Sequence, residues 1–194
     1  PLCLVGSEMC IRDSPWGGSE VFTIDEQLNR LPAGEIGELV GHSTTMMSGY
    51  QNQPEKTEEA SWYDDNGERW QRMGDIGRVD EEGFVTLLGR SKDMIISGGF
   101  NIYPRDLEDA LLKQPEVVDA AVIGIPSKEW GETPLGFVVA AGGETLDLPA
   151  VCARANAELG KTQRISALKQ LDELPRSHIG KILKTALREM VSET

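Results

Sequence analysis

The fold is decided by the stretch GRSKDMIISGGFNIYP, residues 89–104, because the hydrophobic pattern of the chain changes across it. The stretch holds an apolar run broken by Gly98 and Gly99, and then Pro104, a residue that suits the first turn of a helix. Upstream, short apolar runs separated by turn signals predict β-structure. Downstream, strand patterns alternate with helical ones. We therefore predict a domain boundary between residues 91 and 92.

The upstream part, residues 15–91, is predicted to be β-rich. Two strands flank a long turn, a short acidic helix is predicted at 51–60, and residues 69–80 and 84–90 are predicted to form a hairpin.

The downstream part, residues 92–194, is predicted to be a compact unit of strands and helices. Its patterns give the order β, α, β, β, α, β, α, with 94–104 as one strand broken by the double glycine and 181–191 as the final helix. This order predicts helices packed on a small sheet. The predicted fold class of the whole chain is therefore α+β.

Composition limits the functional classes. Hydrophobic residues make up 39% of the chain and charged residues 26%, so it can form a core. The formal net charge of −13 argues against nucleic acid as a partner, because nucleic-acid binders are more often basic. No apolar run approaches the roughly 18 residues that span a bilayer. Residues 161–188 are nevertheless rich in Lys and Arg, which fits either a phosphorylated ligand or a solvated face.

The first residues differ from the rest of the chain. Residues 4–13, LVGSEMCIRD, resemble the translation of a DNA adapter used in transposase-based sequencing libraries, so we interpret residues 1–14 as a non-native segment. The alternative is a genuine N-terminal strand. Without this segment Cys152 is the sole cysteine, which leaves no internal disulfide and no cysteine metal cluster. Its helical spacing with apolar neighbours predicts a core thiol rather than a nucleophile, and the cytoplasm is the expected location.

Several short motifs carry a family resemblance when they are taken together and in order. They are PAGEIGEL (32–39), GYQNQPEKT (49–57), Gly74-Asp75, the stretch 89–104, AAVIGIP (120–126) and LPRSHIGK (174–181). Singly each is weak, but in this order and approximate spacing they resemble the acyl-adenylate-forming ligases. That family includes acyl-CoA synthetases, luciferases and peptide-synthetase adenylation domains. The resemblance covers residues 15–194, and SGGFNIYP is similar to the acyl-CoA ligase branch. It implies that residues 15–91 are the distal, β-rich part of the AMP-binding N-terminal domain and that residues 92–194 are the small, mobile C-terminal lid domain.

The resemblance implies roles for three charged residues. Asp75 matches the family aspartate that accepts hydrogen bonds from the ribose hydroxyls of ATP, and such charge-assisted bonds are strong. Arg90 matches the arginine that contacts ribose or phosphate through its donor fork. Lys181 matches the catalytic lysine, which bridges the substrate carboxylate and the α-phosphate when acyl-AMP forms. Met73 departs from the family pattern, which has threonine before the Gly-Asp pair.

The resemblance also implies roles in a change of conformation. Lys92 matches the hinge about which the small C-terminal domain turns between the adenylating and thioester-forming poses. Gly98 and Gly99 match the loop beside the pantetheine tunnel of coenzyme A, where absent side chains let the thiol arm pass. No residue of this chain is implied as a metal ligand. We give no catalytic role to His42 or His178.

The function implied is that of an ATP-dependent carboxylate–CoA ligase. It would form acyl-AMP and pyrophosphate, then acyl-CoA and AMP, from a fatty or aromatic carboxylic acid, with Mg²⁺ accompanying ATP. The family's Gly/Ser/Thr-rich phosphate loop and most of the acyl pocket lie upstream of the matched region, and no GxxxxGK[ST] motif replaces them. We therefore expect this polypeptide alone to be inactive.

Two alternatives remain open on the sequence. The first is a peptide-synthetase-type adenylation domain that loads a carrier-protein thiol. No carrier module follows in this sequence, which favours the free ligase. The second is a non-catalytic remnant that binds only a nucleotide or a partner. The presence of Asp75, Arg90 and Lys181 together argues against such a remnant.

Overall fold

The computed structural model describes residues 12–15 and 17–192. The chain divides into two compact units, Pro1–Lys92 and Asp93–Thr194, so the division falls one residue after the predicted boundary. The interpretation of residues 4–13 as adapter-derived falls mostly outside the described residues. Its last two residues, Arg12–Asp13, form a short strand paired with Thr86 and Val85, and the origin of their codons stays a prediction.

The first unit is a six-stranded antiparallel sheet with one short helix among its described residues. Its elements are β1 (Arg12–Asp13), β2 (Glu20–Ile24), β3 (Gly37–His42), α1 (Pro54–Glu59), β4 (Ser61–Tyr63), β5 (Arg69–Val79) and β6 (Val85–Arg90). The strand order is β1-β6-β5-β3-β2, and β4 pairs with β5. Phe22, Ile24, Val40 and Trp70 form a buried cluster on this sheet. The predicted β-rich character is thus confirmed.

The hairpin of β5 and β6 is closed by a turn that an aspartate organises. The Oδ1 atom of Asp80 accepts hydrogen bonds from the backbone N–H of Glu82 at 3.1 Å and of Phe84 at 2.9 Å. Gly83 has φ of +83°, a conformation that glycine adopts without steric cost. The turn sets the register next to it, where residue 79 pairs with 85, and a slip between Ile76 and Gly77 then brings residue 75 opposite 90.

The second unit contains a five-stranded sheet with helices. Its elements are β7 (Ile95–Ser97), β8 (Phe100–Ile102), α2 (Pro104–Leu112), β9 (Val117–Ser127), β10 (Gly131–Ala140), α3 (Leu148–Glu158), β11 (Ala167–Gln170) and α4 (Lys184–Ser192). The strands β9 and β10 pair antiparallel over most of their length, and β11 lies parallel to β10. The α+β class is confirmed.

Two predictions of element bounds in this unit are wrong. Residues 94–104 are not one strand but two, β7 and β8, because two glycines with positive φ reverse the chain between them. The final helix begins at Lys184 rather than 181, because Ile182 forms a backbone bridge with Arg176. Lys181 therefore lies in a loop and not in the helix.

Packing on β9 and β10 divides the core of the second unit into two clusters. One is centred on side chains of α2 and α3, including Leu107, Leu111 and Val151. The other joins Phe137 to Leu187 of α4. Successive residues of β9 contribute to different clusters, as expected when neighbouring side chains of a strand point to opposite faces. Helices thus cover both faces of this strand pair.

The Cys152 thiol packs at the edge of the first of these clusters. Its Sγ donates to the Ile165 carbonyl at 3.5 Å, and burial raises the pKa of the thiol. A raised pKa lowers the thiolate fraction, so the geometry agrees with a core thiol rather than a nucleophile. None of the helices within 12–15 and 17–192 combines the length and the apolar character needed to cross a bilayer.

Candidate functional site

Asp75 and Arg90 lie opposite each other on β5 and β6. The Nε atom of Arg90 is 3.1 Å from Oδ1 of Asp75, and the Arg90 side chain is 55% exposed against 26% for Asp75. The pairing register slips next to Asp75, between Ile76 and Gly77, and Gly74 has φ of +68°. These irregularities bend the strand at the aspartate, as β-bulges near functional sites do. A partly exposed carboxylate beside a permanent cation is thus presented on the sheet.

Neighbouring residues of this strand have structural roles. The methyl group of Met73 lies where a side chain at position 41 would be, so Gly41 makes room for it. The ring of His42 lies 5.2 Å from that of Trp70, and its Nε2 is 3.4 Å from a carboxylate oxygen of Glu68. His42 is therefore engaged in packing at the edge of the aromatic cluster, which agrees with leaving it without a catalytic role.

Gly98 and Gly99 form the two-residue turn between β7 and β8. Both have positive φ, +58° and +82°, as tight hairpin turns require. The N–H of Gly98 donates to the carbonyl of Trp130 at 2.9 Å. A Cβ added to Gly98 would lie 2.7 Å from Cε3 of the Trp130 ring, whereas one added to Gly99 would meet nothing within 4 Å. The first glycine is thus required by both conformation and space.

Trp130 and Glu132 are two neighbours of this turn that the sequence reasoning missed. The carboxylate of Glu132 accepts a hydrogen bond from the Ile96 N–H at 3.0 Å. The backbone pairing of β7 with β10 is between Ser97 and Gly131 only. The Glu132 side chain therefore adds a hydrogen bond between the two strands that the backbone pairing does not provide. The sequence feature that could have identified these two residues is Trp-Gly-Glu, residues 130–132, at the start of a strand.

We expect Gly98→Ala to loosen this hairpin more than Gly99→Ala. Both changes place a side chain at positive φ, which costs roughly 1 kcal/mol, but only alanine at 98 also overlaps Trp130 and adds about 1–3 kcal/mol. The measurement is hydrogen–deuterium exchange of the amides of residues 95–102 in the two variants. Equal exchange in both would show that the Trp130 contact does not constrain the turn.

Lys181 directly follows a tight turn formed by residues 177–180. The N–H of Ser177 donates to the Lys181 carbonyl at 2.8 Å, and the Lys181 N–H donates to Oγ of Ser177 at 3.2 Å. Gly180, at φ of +80°, closes the turn with an N–H bond to the Ser177 carbonyl at 2.8 Å. The backbone N–H groups of Ser177, Gly180 and Lys181 are thus all hydrogen-bonded. The side chain of Lys181 is exposed to solvent. His178 is exposed at the tip of this turn.

The next lysine along the chain has a different environment. The Nζ of Lys184 is 2.7 Å from Oε1 of Glu108, and both side chains are less than one-fifth exposed. The same carboxylate oxygen accepts the N–H of Val122 at 2.9 Å. Lys184 therefore joins α4 to α2 and β9, while Lys181 is presented to solvent. Glu108 acts here as a structural acceptor.

Lys92 lies in a single 3-10 turn, Ser91–Asp93, and is exposed. The next residue, Asp93, accepts a hydrogen bond from Arg188 of α4 at 3.0 Å. Asp93 is therefore anchored within the second unit, and Lys92 is the last residue of the first. The role of Lys92 as a hinge stays a prediction.

The predicted site residues are brought together only in part. Asp75 and Arg90 are in contact within the first unit, whereas the Gly98–Gly99 turn and Lys181 lie on separate loops of the second. In the part of the chain that the structure describes, no three His, Cys, Asp or Glu side chains cluster as a metal site. The groups available for binding a ligand are therefore two cations (Arg90 and Lys181), the Asp75 carboxylate and a compact glycine turn.

The chain is similar to known proteins over most of its length. Residues 106–181 match the AMP-binding enzyme C-terminal domain. The chain belongs to the family of AMP-binding enzymes. A long-chain-fatty-acid–CoA ligase of Mycobacterium tuberculosis, FadD13, is 40% identical over 158 residues, which cover 81% of this chain and 30% of the relative. A 2-succinylbenzoate–CoA ligase of Bacillus cereus is 34% identical over 99% of this chain and 39% of its own length.

Solved structures of AMP-binding enzymes have the same fold as this chain. The crystal structure of ATP-bound MatB from Rhodopseudomonas palustris superposes with a TM-score of 0.81 at 36% identity, over 90% of this chain and 34% of that one. The chain thus spans about a third of the length of the relatives it matches and corresponds to their C-terminal part.

Proposed function

We propose that this chain is the C-terminal part of an ATP-dependent carboxylate–CoA ligase. The observation that carries the proposal is the direct contact of Asp75 with Arg90 on a bent strand pair, in a chain that also presents Lys181 to solvent on a fixed turn. The relatives named above are CoA ligases by name, and they support the same reaction class. The acid substrate is a fatty or aromatic carboxylic acid.

Asp75 and Arg90 are proposed to bind the nucleoside end of ATP. Two neighbouring ribose hydroxyls match the two oxygens of one carboxylate, and a charged acceptor makes each bond roughly twice as strong as a neutral one. The guanidinium of Arg90, whose Nε lies 3.1 Å from Oδ1 of Asp75, orients that carboxylate. Its remaining donors are proposed to bind the ribose or the phosphates.

Lys181 is proposed to act in the first half-reaction. An oxygen of the substrate carboxylate forms a bond to the α-phosphorus, the bond from that phosphorus to the bridging oxygen breaks, and pyrophosphate leaves. Two anions must approach each other, so an ammonium group between them lowers the barrier. Lys181 is exposed and lies on a short loop, so its side chain is open to contact with a substrate.

In the second half-reaction the thiol of coenzyme A attacks the acyl carbonyl of acyl-AMP, and AMP leaves as the acyl–sulfur bond forms. The Gly98–Gly99 turn is proposed to lie beside the pantetheine arm, and Lys92 is proposed to be the hinge between the two poses. Mg²⁺ would accompany ATP, but the described residues do not fit a metal site, so we derive no step through it. A cytoplasmic location stays a prediction.

Asp75→Asn is expected to weaken ATP binding about 10- to 100-fold in a full-length ligase that carries this chain. The change keeps the shape but removes the charge, and hydrogen bonds to charged groups contribute roughly 1.5–3 kcal/mol. The measurement is isothermal titration of ATP, with Asp65→Asn in an exposed turn as the matched control. Unchanged affinity in Asp75→Asn would contradict the ribose-binding role.

The proposed function is tested by assaying the full-length ligase, obtained by recovering the coding sequence upstream of residue 15. With ATP and a series of fatty and aromatic acids, coenzyme A should yield the thioester, and the chain alone should yield none. A thioester on a holo-carrier protein but none on coenzyme A would show a peptide-synthetase-type domain instead. Nucleotide binding without any adenylate would show a non-catalytic remnant.

A further inference from the structure

We infer that Arg176 is the positioning residue of the Lys181 turn and that Asp119 holds it in place. This inference rests on the proposed role of Lys181. The two residues are 57 positions apart, and neither belongs to the catalytic set proposed above. Arg176 precedes the turn, and Asp119 lies in β9.

The guanidinium of Arg176 joins the turn to the sheet. Its Nη1 donates to the carbonyl of Gly180 at 2.7 Å, and its Nη2 donates to Oδ2 of Asp119. Asp119 pairs with Val139 in the ladder of β9 and β10, so it is part of the most extended strand pair of this unit. A single side chain thus connects the turn to a rigid strand.

The bond to Gly180 acts on the peptide unit that directly precedes the Lys181 side chain. Its carbonyl accepts from Arg176, while its N–H, that of Lys181, donates to Oγ of Ser177 at 3.2 Å. A peptide held at both its acceptor and its donor has a fixed plane. That plane fixes the N–Cα bond of Lys181, and the Lys181 carbonyl, which accepts from the Ser177 N–H at 2.8 Å, restrains the rotation about it. Together these bonds set the direction of the Cα–Cβ bond of Lys181. Arg176 therefore aims the lysine without touching a substrate.

Arginine suits this position better than lysine. The planar guanidinium presents donors on two nitrogens in a fixed fork, so it can serve a carbonyl and a carboxylate at once. A lysine at 176 would keep the charge but not the fork. The Asp119 carboxylate also neutralises Arg176, so that the cation left facing solvent beside the turn is Lys181.

A different role for Arg176 is direct contact with a substrate phosphate. Its side chain is 45% exposed, so exposure alone does not decide between the two roles. They differ in what Asp119 does. If Arg176 positions the turn, removing the charge of Asp119 harms adenylation. If Arg176 binds phosphate, the same change releases the guanidinium and leaves or raises the rate.

The first arm of the test measures the turn itself in the 194-residue chain. In Arg176→Ala we expect the amides of residues 177, 180 and 181 to exchange at least about 10-fold faster, with those of β9 and β10 unchanged. The control is Arg154→Ala, because Arg154 is likewise an exposed arginine paired with a carboxylate, that of Glu116. Unchanged exchange of the turn in Arg176→Ala overturns the inference.

The second arm measures the two half-reactions in a full-length ligase that carries this chain. We expect Arg176→Ala to lower kcat of adenylate formation about 10- to 100-fold with KM for ATP within a factor of about 3, because small misplacement of a catalytic group is costly. Thioester formation from added acyl-AMP should be unchanged, as should both steps in Arg154→Ala. Arg176→Lys should recover less than half of the lost rate.

Asp119→Asn completes the test. A loss of adenylation similar to that of Arg176→Ala supports the positioning role, and a rate equal to or above the unmodified enzyme overturns it. An equal loss in both half-reactions also overturns it, since that is the mark of general destabilisation. If Lys181→Ala keeps its adenylation rate while Arg176→Ala loosens the turn, the proposed function of Lys181 is what fails.

Discussion

Lys181→Ala is expected to lower the rate of acyl-adenylate formation about 100- to 1,000-fold in a full-length ligase that carries this chain. Removing a group that stabilises charge as it develops in the transition state typically lowers the rate about 100- to 1,000-fold. Thioester formation from added acyl-AMP should stay within a factor of about 2, because the lysine is proposed to act in the first half-reaction alone. The measurement is pyrophosphate release for the first step and thioester formation for the second.

The matched control for this prediction is Lys161→Ala. Lys161 is also an exposed lysine of a loop in the second unit, and no role is proposed for it. Lys161→Ala should leave the rates of both half-reactions unchanged. This result would distinguish a specific effect of Lys181 from a general effect of lost positive charge. An equal fall of both half-reactions in Lys181→Ala would count against the assignment, and so would a fall in Lys161→Ala of similar size.

Phe137→Ala is expected to destabilise the second unit by about 3–5 kcal/mol, the usual cost of removing a fully buried phenylalanine. Phe137 is 1% exposed and belongs to the cluster that joins β10 to Leu187 of α4. Its strand also pairs with β9 and β11, so a cavity there affects three strands. The measurement is the opening free energy from exchange of the β9 and β10 amides.

Phe100→Ala supplies the control for this stability measurement. Phe100 is 56% exposed on β8 of the same unit, so its removal should change the opening free energy by no more than about 0.5 kcal/mol. A similar loss in both variants would show that the cluster around Phe137 does not dominate the stability of this unit. Exchange within the first unit, at β3 and β5, serves as an internal reference.

Much of the fold was predictable because its signals are local. The hairpin of β5 and β6 follows from the turn around Gly83, and α2 follows from Pro104 and the spacing of Leu107 and Leu111. The two wrong predictions, of one strand at 94–104 and of a helix from 181, have local causes that the hydrophobic pattern does not show. An apolar run continues through the double glycine although the backbone reverses there, and helical spacing continues upstream of Lys184 although Ile182 pairs with Arg176.

The candidate site was predictable only as a set of residue types. Asp75, Arg90 and Lys181 stand out by motif, and the register of β5 and β6 is enough to bring the first two together. The groups that hold the site in place were missed. Trp130 and Glu132 at the glycine turn are identified by no motif that the resemblance supplied, because their contacts with Gly98 and Ile96 cross between strands.

By itself the sequence determined the α+β class, most of the elements and the turn of the β5–β6 hairpin. These depend on backbone preferences and hydrophobic spacing within a few residues, whereas the residues proposed to carry the chemistry came from a family resemblance. Only the tertiary structure decided which side chains restrain one another, such as Asp119 with Arg176 beside the Lys181 turn and Glu108 with Lys184 at the start of α4. Those pairs are separated by a large part of the unit, and they meet because the packing of β9 and β10 against the helices sets distances that no local pattern contains.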